Sequence, residues 1–388
     1  MTPAARISAA IDILDRIIEG GAAEQALTGW ARASRYAGSG DRVAVRDLVF
    51  AALRCLRSHT ALAGAMAPSG RALMIGAGFA PLFTGEGHAP LPLTDAELAA
   101  RTLAPSLDRL PEAVQADCPD WLVAPLRDSL GEDFLPVMQT QRQRAPVWVR
   151  VNLARITRDQ AQVLLAAEGV ETERSDLASS ALMVHGKSNK INKSGLYLDG
   201  RIELQDLSSQ AAVEALPLRD GMTVLDYCAG GGGKLLAMAA RVQADFTAHD
   251  AAPERMRDLA PRAARAGVRA QLIETAALAG RQFDLVLVDA PCSGSGTWRR
   301  TPDAKWRLTA ERLDALCALQ ARILDEAAPL VRAGGRLVYM TCSVLRAENA
   351  AQEQAFCQRA PHFLAQSRRS FLPIEGGDGF FVTQFERL

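Results

Sequence analysis

From Gly221 to the C-terminus, strand-like and helix-like segments alternate without interruption, and this alternation leaves few folds open. The strand-like segments are "TVLDYCA", "DFTAHDA", "RAQLIE", "FDLVLVDA" and "GRLVYMTC", with "GFFVTQFERL" at the end. Helices are expected to begin near Gly232, Pro253, Thr309 and Ala347. The clearest, "TAERLDALCALQARILDEAAPLVRAGG", puts Leu313, Leu316, Cys317, Ile323, Leu324 and Ala327 on one side, with Gly334 past its end. Nearly continuous apolar strands separated by helices imply an α/β fold, a mostly parallel sheet with helices on both faces. Such sheets bind ligands beyond the carboxyl ends of their strands. Asp226, Cys228, Asp250, Asp289, Cys292 and Cys342 all fall at such ends.

The upstream half has a different texture. Between Ala5 and Ala65, apolar residues recur at helical spacing (Ile7, Ile11, Leu14, Ile18; then Val45, Leu48, Val49, Leu53), which predicts a small all-helical domain. Arg42, Arg46, Arg54 and Arg57 alternate with that pattern and are expected on its outer faces. Residues 66–120 are rich in Gly, Pro and Ala and read as loops joining short helices. "CPDWLVAPLRDSLGEDF" reads as a helix begun near Asp120 and stopped near Gly131. Beyond Ala145, "PVWVRVNL", "ALMVHG" and "LYLDGRIELQD" are strand-like, and "TRDQAQVLLAAEG" is a helix with Thr157 as N-cap: a small α+β domain. The expected boundaries are 1–120, 121–205 and 206–388.

Charge does not select a partner, because 44 Lys and Arg balance 44 Asp and Glu. Any polyanion site has to be local. The lysine-rich "GKSNKINKSG", with Lys187, Lys190 and Lys193, is the most favourable stretch for one; a plain surface loop competes with it. The N-terminal stretch has acids within its apolar pattern, so it reads as neither a signal nor a transit peptide. No apolar run reaches the roughly 18 residues of a membrane span. A cytoplasmic protein working as a monomer, with no membrane partner, is expected. Seven cysteines in no repeated spacing and five scattered histidines argue against a disulfide framework and a metal site.

"LDYCAGGGGK" follows the first strand of the alternating region and opens a helix. It lacks the Ser or Thr of a phosphate loop, Leu235 standing in its place, and the same Leu235 breaks the dinucleotide glycine pattern. Asp250 ends the next strand, 24 residues after Asp226, where a carboxylate accepts from ribose hydroxyls. A glycine turn and a ribose acid without phosphate chemistry suit a nucleoside cofactor such as S-adenosylmethionine.

On the residues alone, Cys292 and Cys342 could be a disulfide, half a metal site, packing or chemistry. The motifs around them carry a resemblance. "DYCAGGGGK", "DAPCSGSGTWRRTPDAKWR" and "MTCSVLRAENAAQEQAF", with "RVNL", "LYLDGRIELQDLSSQAA" and "LPIEGGDGFF", resemble the Sun-type (Fmu) RNA cytosine-5 methyltransferases over about residues 120–388. The helical N-terminus resembles, by pattern, the NusB-like RNA-binding domain of the bacterial 16S rRNA members. The resemblance implies a Rossmann-like S-adenosylmethionine-dependent methyltransferase domain that makes 5-methylcytosine in RNA, 16S rRNA above all. It further implies Cys342 as nucleophile on C6, Cys292 assisting product release, Asp289 on the cytosine N3/N4 edge and Lys234 orienting groups around it. Asp226, Cys228, Ala229, Gly230, Gly231, Gly232, Gly233, Lys234, Asp250 and Asp289 would line the cofactor. Arg299, Arg300, Lys305 and Arg307 would neutralise RNA phosphates, with Trp298 or Trp306 stacking.

Two departures stand out. Gly230 and Gly231 replace an Ala-Pro pair of the family's first loop, so a more flexible loop is expected. Glu274 and Thr275 stand where the family shows an Asp near the adenine. Transfer RNA or DNA as substrate, or an RNA-binding ribosome-assembly factor on an inactive scaffold, are the alternatives.

Overall fold

The computed structural model describes residues 1–186 and 188–388. The chain divides into two compact units, Met1–Arg144 with Trp298–Leu308, and Ala145–Thr297 with Thr309–Leu388. The region expected as 121–205 is thus divided: residues 121–144 lie in the first unit and 145–205 in the second. Eleven residues from the middle of that unit's sequence belong to the first.

The first unit is helical. Its opening helix, Pro3–Ile18, is capped by Thr2, whose hydroxyl accepts from the Ala5 N–H at 3.2 Å, and Pro3 stands where no N–H is needed. Ile7, Ile13 and Leu14 pack against Val45, Val49 and Leu53 of Ser39–Arg54. Arg54 departs from the outer-face expectation. It is buried and donates to the Arg299 carbonyl at 2.7 Å, because the returning segment 298–308 covers that end of its helix. Trp306 likewise donates its indole N–H to the Leu53 carbonyl at 2.7 Å.

The second unit holds two sheets. The smaller is antiparallel, with strands β1 (Val147–Val151), β2 (Glu171–Arg174), β3 (Ala181–His185) and β4 (Ile202–Leu204) in the order β2-β3-β1-β4. Helix Arg158–Ala167 starts at Thr157 through a capping box with Gln160, as its sequence predicts. Much of "LYLDGRIELQD" is not strand: Ser194 caps a helical turn over Gly195–Leu198, leaving β4 only three residues.

The larger sheet contains β5 (Thr223–Asp226), β6 (Asp245–Ala248), β7 (Ala270–Leu272), β8 (Phe283–Asp289), β9 (Val331–Thr341), β10 (Phe363–Phe371) and β11 (Phe380–Arg387), in the order β10-β11-β9-β8-β5-β6-β7. β5 to β9 pair in parallel, and β11 runs antiparallel between β9 and β10. β8 and the C-terminal half of β9 are buried almost throughout, which accounts for their apolar sequences. Helix Ala310–Ala327 buries Leu313, Leu316, Ile323, Leu324 and Ala327. It ends before Gly334, since Pro329 follows its last turn and "VRAGG" enters β9 as an irregularity in the β8 pairing.

Candidate active site

Four adjacent strands, β6, β5, β8 and β9, run in parallel and end on one rim, so the residues that follow them meet there. The Cys292 and Cys342 Sγ atoms are 3.4 Å apart. Backbone bonds from Ala290 N to Met340 O (2.9 Å) and from Gly296 N to Cys342 O (3.0 Å) lace the two loops together. Gly296 also packs against a third segment, since a Cβ there would sit 2.0 Å from the Gly379 carbonyl oxygen. All seven cysteines are free thiols. The Cys292 thiol is pushed well above its ordinary range by its bond to Cys342 and then by burial.

Lys234, in the first turn of helix Gly233–Ala239, reaches the Asp289 carboxylate with its ammonium and lies 5.1 Å from the Phe380 ring centre. Burial alone would push that ammonium down. Asp289, Cys342 and Asp226 more than offset it and hold Lys234 above its usual range.

At the end of β5, Asp226 is fully buried and its Oδ1 has no hydrogen-bond partner among the described residues. Burial first, and then the charge of Asp289, push its carboxyl up to about 7. Asp250 accepts from Gly230 N and Ala252 N, both at 3.0 Å, with Arg255 at 3.4 Å. His249, also buried, bridges the Tyr227 carbonyl (2.8 Å) and the Thr275 hydroxyl (2.9 Å). Cys228 is held strongly upward by burial and by the acids around it, so it stays a thiol.

The glycine turn is tied rather than slack. Ala229 N donates to His249 O (2.9 Å), Gly232 N to Ala229 O (2.8 Å), and Arg262 to the Gly231 carbonyl. Gly232 takes φ +76° with Leu259 packed where a Cβ would stand, so this turn requires glycine. Arg262, itself anchored on Glu203 at 2.9 Å, comes so near Gly231 that a Cβ there would lie 2.9 Å from its Nη1. The flexibility expected at Gly230 and Gly231 is countered by these contacts.

The expected RNA contacts divide. Arg299 is 3 % exposed and Lys305 2 % exposed, both inside the helical unit, and neither presents its charge to a phosphate. Trp298 is buried and Trp306 spends its N–H on Leu53, so neither offers an open ring with a free edge. Arg300 is partly covered, whereas Arg307 is exposed with Asp303 at 3.8 Å. Lys193 is exposed and Lys190 lies 3.5 Å from the Glu168 carbonyl; Lys187 lies outside the described residues.

Sequence reasoning passed over Glu348, Ser293 and Ser343. Glu348 is 0 % exposed and receives Ser293 N (2.7 Å), Ser293 Oγ (2.5 Å), Ser343 Oγ (2.5 Å) and Gln320 Nε2 (3.0 Å). An acid six positions past Cys342 was the only available signal.

Residues 213–386 match the family model described as 16S rRNA methyltransferase RsmB/F, and residues 118–190 match the RsmF/B-like ferredoxin-like domain. The chain is 34% identical over 277 residues to ribosomal RNA small subunit methyltransferase B of Vibrio cholerae, covering 68% of this chain and 64% of that protein. It is 37% identical over 298 residues to the protein of the same name from Xylella fastidiosa, covering 71% and 69%. The chain therefore spans slightly under two-thirds of the Vibrio relative. The crystal structure of a methyltransferase homolog protein from Pyrococcus horikoshii, 23% identical, shares the fold with a TM-score of 0.63 over 74% of this chain and 100% of that one.

Proposed function

The chain belongs to the RsmB/F family of 16S rRNA methyltransferases, and on that premise we propose that it methylates C5 of a cytosine in 16S rRNA, with S-adenosylmethionine as cofactor. The observation that carries this reading is the pair of thiols at 3.4 Å, from two neighbouring strand ends, beside the Lys234–Asp289 ion pair.

The rim fits the cofactor. The unpartnered Oδ1 of buried Asp226 suits the ammonium of a methionyl group, Asp250 stands at the ribose position, and the turn 229–233 allows close approach. When bound, S-adenosylmethionine supplies an electrophilic methyl group. The side chains do the rest. Cys342 adds as thiolate to C6, and the electron pair displaced from the C5–C6 double bond makes C5 the nucleophile. Asp289, steadied by Lys234, meets the N3/N4 edge and favours protonated N3, which accepts that electron density. Once C5 carries its new methyl group, its proton leaves to a base. The double bond then re-forms and the S–C6 bond breaks, returning the electron pair to Cys342. Cys292, kept as a neutral thiol, assists that release. The cytosine has to leave any helical stack to reach this rim.

In this reading residues 1–120 form an RNA-binding domain of NusB type. The protein acts as a monomer in the cytoplasm; no helix among the described residues is long and apolar enough to cross a membrane.

Cys342→Ala is expected to abolish methylation, and Cys292→Ala to trap a protein–RNA adduct that survives a denaturing gel. The opposite pattern would exchange the two roles. Bisulfite sequencing of 16S rRNA from a strain lacking the protein, against its parent, locates the target, and an unchanged profile rejects this substrate.

A further inference from the structure

We propose that Glu348 is a positioning residue whose single buried carboxylate sets the approach of the two thiols by holding the loop behind each of them. The inference rests on the reading of Cys292 and Cys342 as a working pair, but its geometry can be tested without RNA.

Glu348 follows β9 by seven residues and carries no exposed atom. A carboxylate in such a place costs several kcal/mol in lost hydration unless its lone pairs are filled. Here they are filled from both cysteine loops at once. Ser293, next to Cys292, gives its N–H at 2.7 Å to one oxygen and its hydroxyl at 2.5 Å to the other. Ser343, next to Cys342, gives its hydroxyl at 2.5 Å to that second oxygen. Gln320 adds an N–H at 3.0 Å and donates to the Pro291 carbonyl at 2.9 Å, pinning the residue before Cys292.

The same serines bind each other through Ser295, whose hydroxyl lies 2.8 Å from that of Ser343 and accepts from Val344 N at 2.9 Å. Tyr339 holds the Glu348 carbonyl at 2.7 Å, fixing the backbone from which the carboxylate reaches. One group thus links two loops whose cysteines are fifty residues apart, and the motif serines are explained as its partners rather than as reactants.

A Gln at 348 could keep the arrangement, its oxygen accepting from Ser293 N and Gln320 while its amide donates to the two hydroxyl oxygens. An Ala could not.

The test is the rate at which diamide, a two-electron thiol oxidant, converts Cys292 and Cys342 to a disulfide. Two S–H bonds break, one S–S bond forms, and diamide takes up the two electrons and two protons. The rate reads the effective concentration of one thiol at the other, scored by peptide mass spectrometry of the full chain. Wild type and Glu348→Gln are expected to cross-link at similar rates, and Glu348→Ala at least about tenfold more slowly. Where Glu348→Ala fails to fold, the paired Ser293→Ala and Ser343→Ala variants take its place with the same expectation. Wild-type cross-linking rates in the truncated variants would overturn the proposal, as would loss of rate in Glu348→Gln. In the methylation assay, Glu348→Ala is expected to accumulate the denaturation-resistant RNA adduct as Cys292→Ala does. A normal oxidation pattern with no adduct in any variant would instead reject the cytosine chemistry and leave the positioning intact.

Discussion

Residues 298–308 and residues 188–193 are both short, both basic and both plausible places for an RNA backbone, yet the fold treats them in opposite ways. In the first, Arg299 and Lys305 are enclosed by the helices of the N-terminal unit, with Trp298 beside them and Trp306 bound to Leu53. In the second, Lys193 stands in solvent. Burial pushes the Lys305 ammonium down, with the charge of Asp117 opposing it, so this lysine works inside a polar interior and not at a surface. A cation in a sequence is therefore not yet an available cation. What decides is whether the neighbouring residues, here Trp298, Trp306 and the buried Leu308, have a core to enter.

The largest effect should come from Trp298→Ala, which empties a fully buried indole site and is expected to cost about 4 kcal/mol in urea unfolding. A loss under about 1 kcal/mol would put this segment back on the surface. Lys305→Ala should cost about 3 kcal/mol, because buried Asp117 then keeps Arg142 (2.9 Å) but loses a second positive charge. Arg307→Ala, a few residues away but exposed, should stay within about 0.5 kcal/mol.

Acid should weaken the same interior. Burial, and then the charge of Arg142, hold His59 at about 4 instead of 6.5. The folded protein keeps it neutral where the unfolded chain would take up a proton. Its contribution is complete above pH 6.5 and is lost as pH falls toward 4, a total of about 3 kcal/mol. A His59→Phe variant should flatten that part of the stability–pH curve, and an unaltered slope would point to other groups. The smallest change is reserved for Lys193→Ala. Stability should not move, while the logarithmic salt dependence of RNA binding should lose about one unit of slope. An unchanged slope would remove the loop from the RNA path.

The same contrast explains what could be read in advance. β5, β8 and β9 were legible because strands covered on both faces are written as apolar runs. β10 was missed because residues 364–370 are all exposed on a sheet edge and show no alternation to read, and β2 is an edge strand for the same reason. Asp226, Asp250, Asp289, Cys292 and Cys342 were legible because strand ends on a parallel sheet converge whatever the side chains. Glu348 was not, since its partners lie 55 and 5 residues away and nothing local marks a carboxylate as a clamp. Arg299 and Lys305 were misread for a related reason: the helical core that receives them is encoded far upstream, Arg54 lying 245 residues before Arg299 and Asp117 standing well before Lys305.

The return of residues 298–308 to the helical unit bears on how the chain is made. That unit leaves the ribosome first, but it stays without Trp298, Lys305 and Trp306 until everything from 145 to 297 has also been synthesised. At about 5–20 residues per second the wait is on the order of ten seconds or more. Through that interval the docking site for the late segment stays open, and a nascent chain halted before residue 308 would hold an unfinished helical unit.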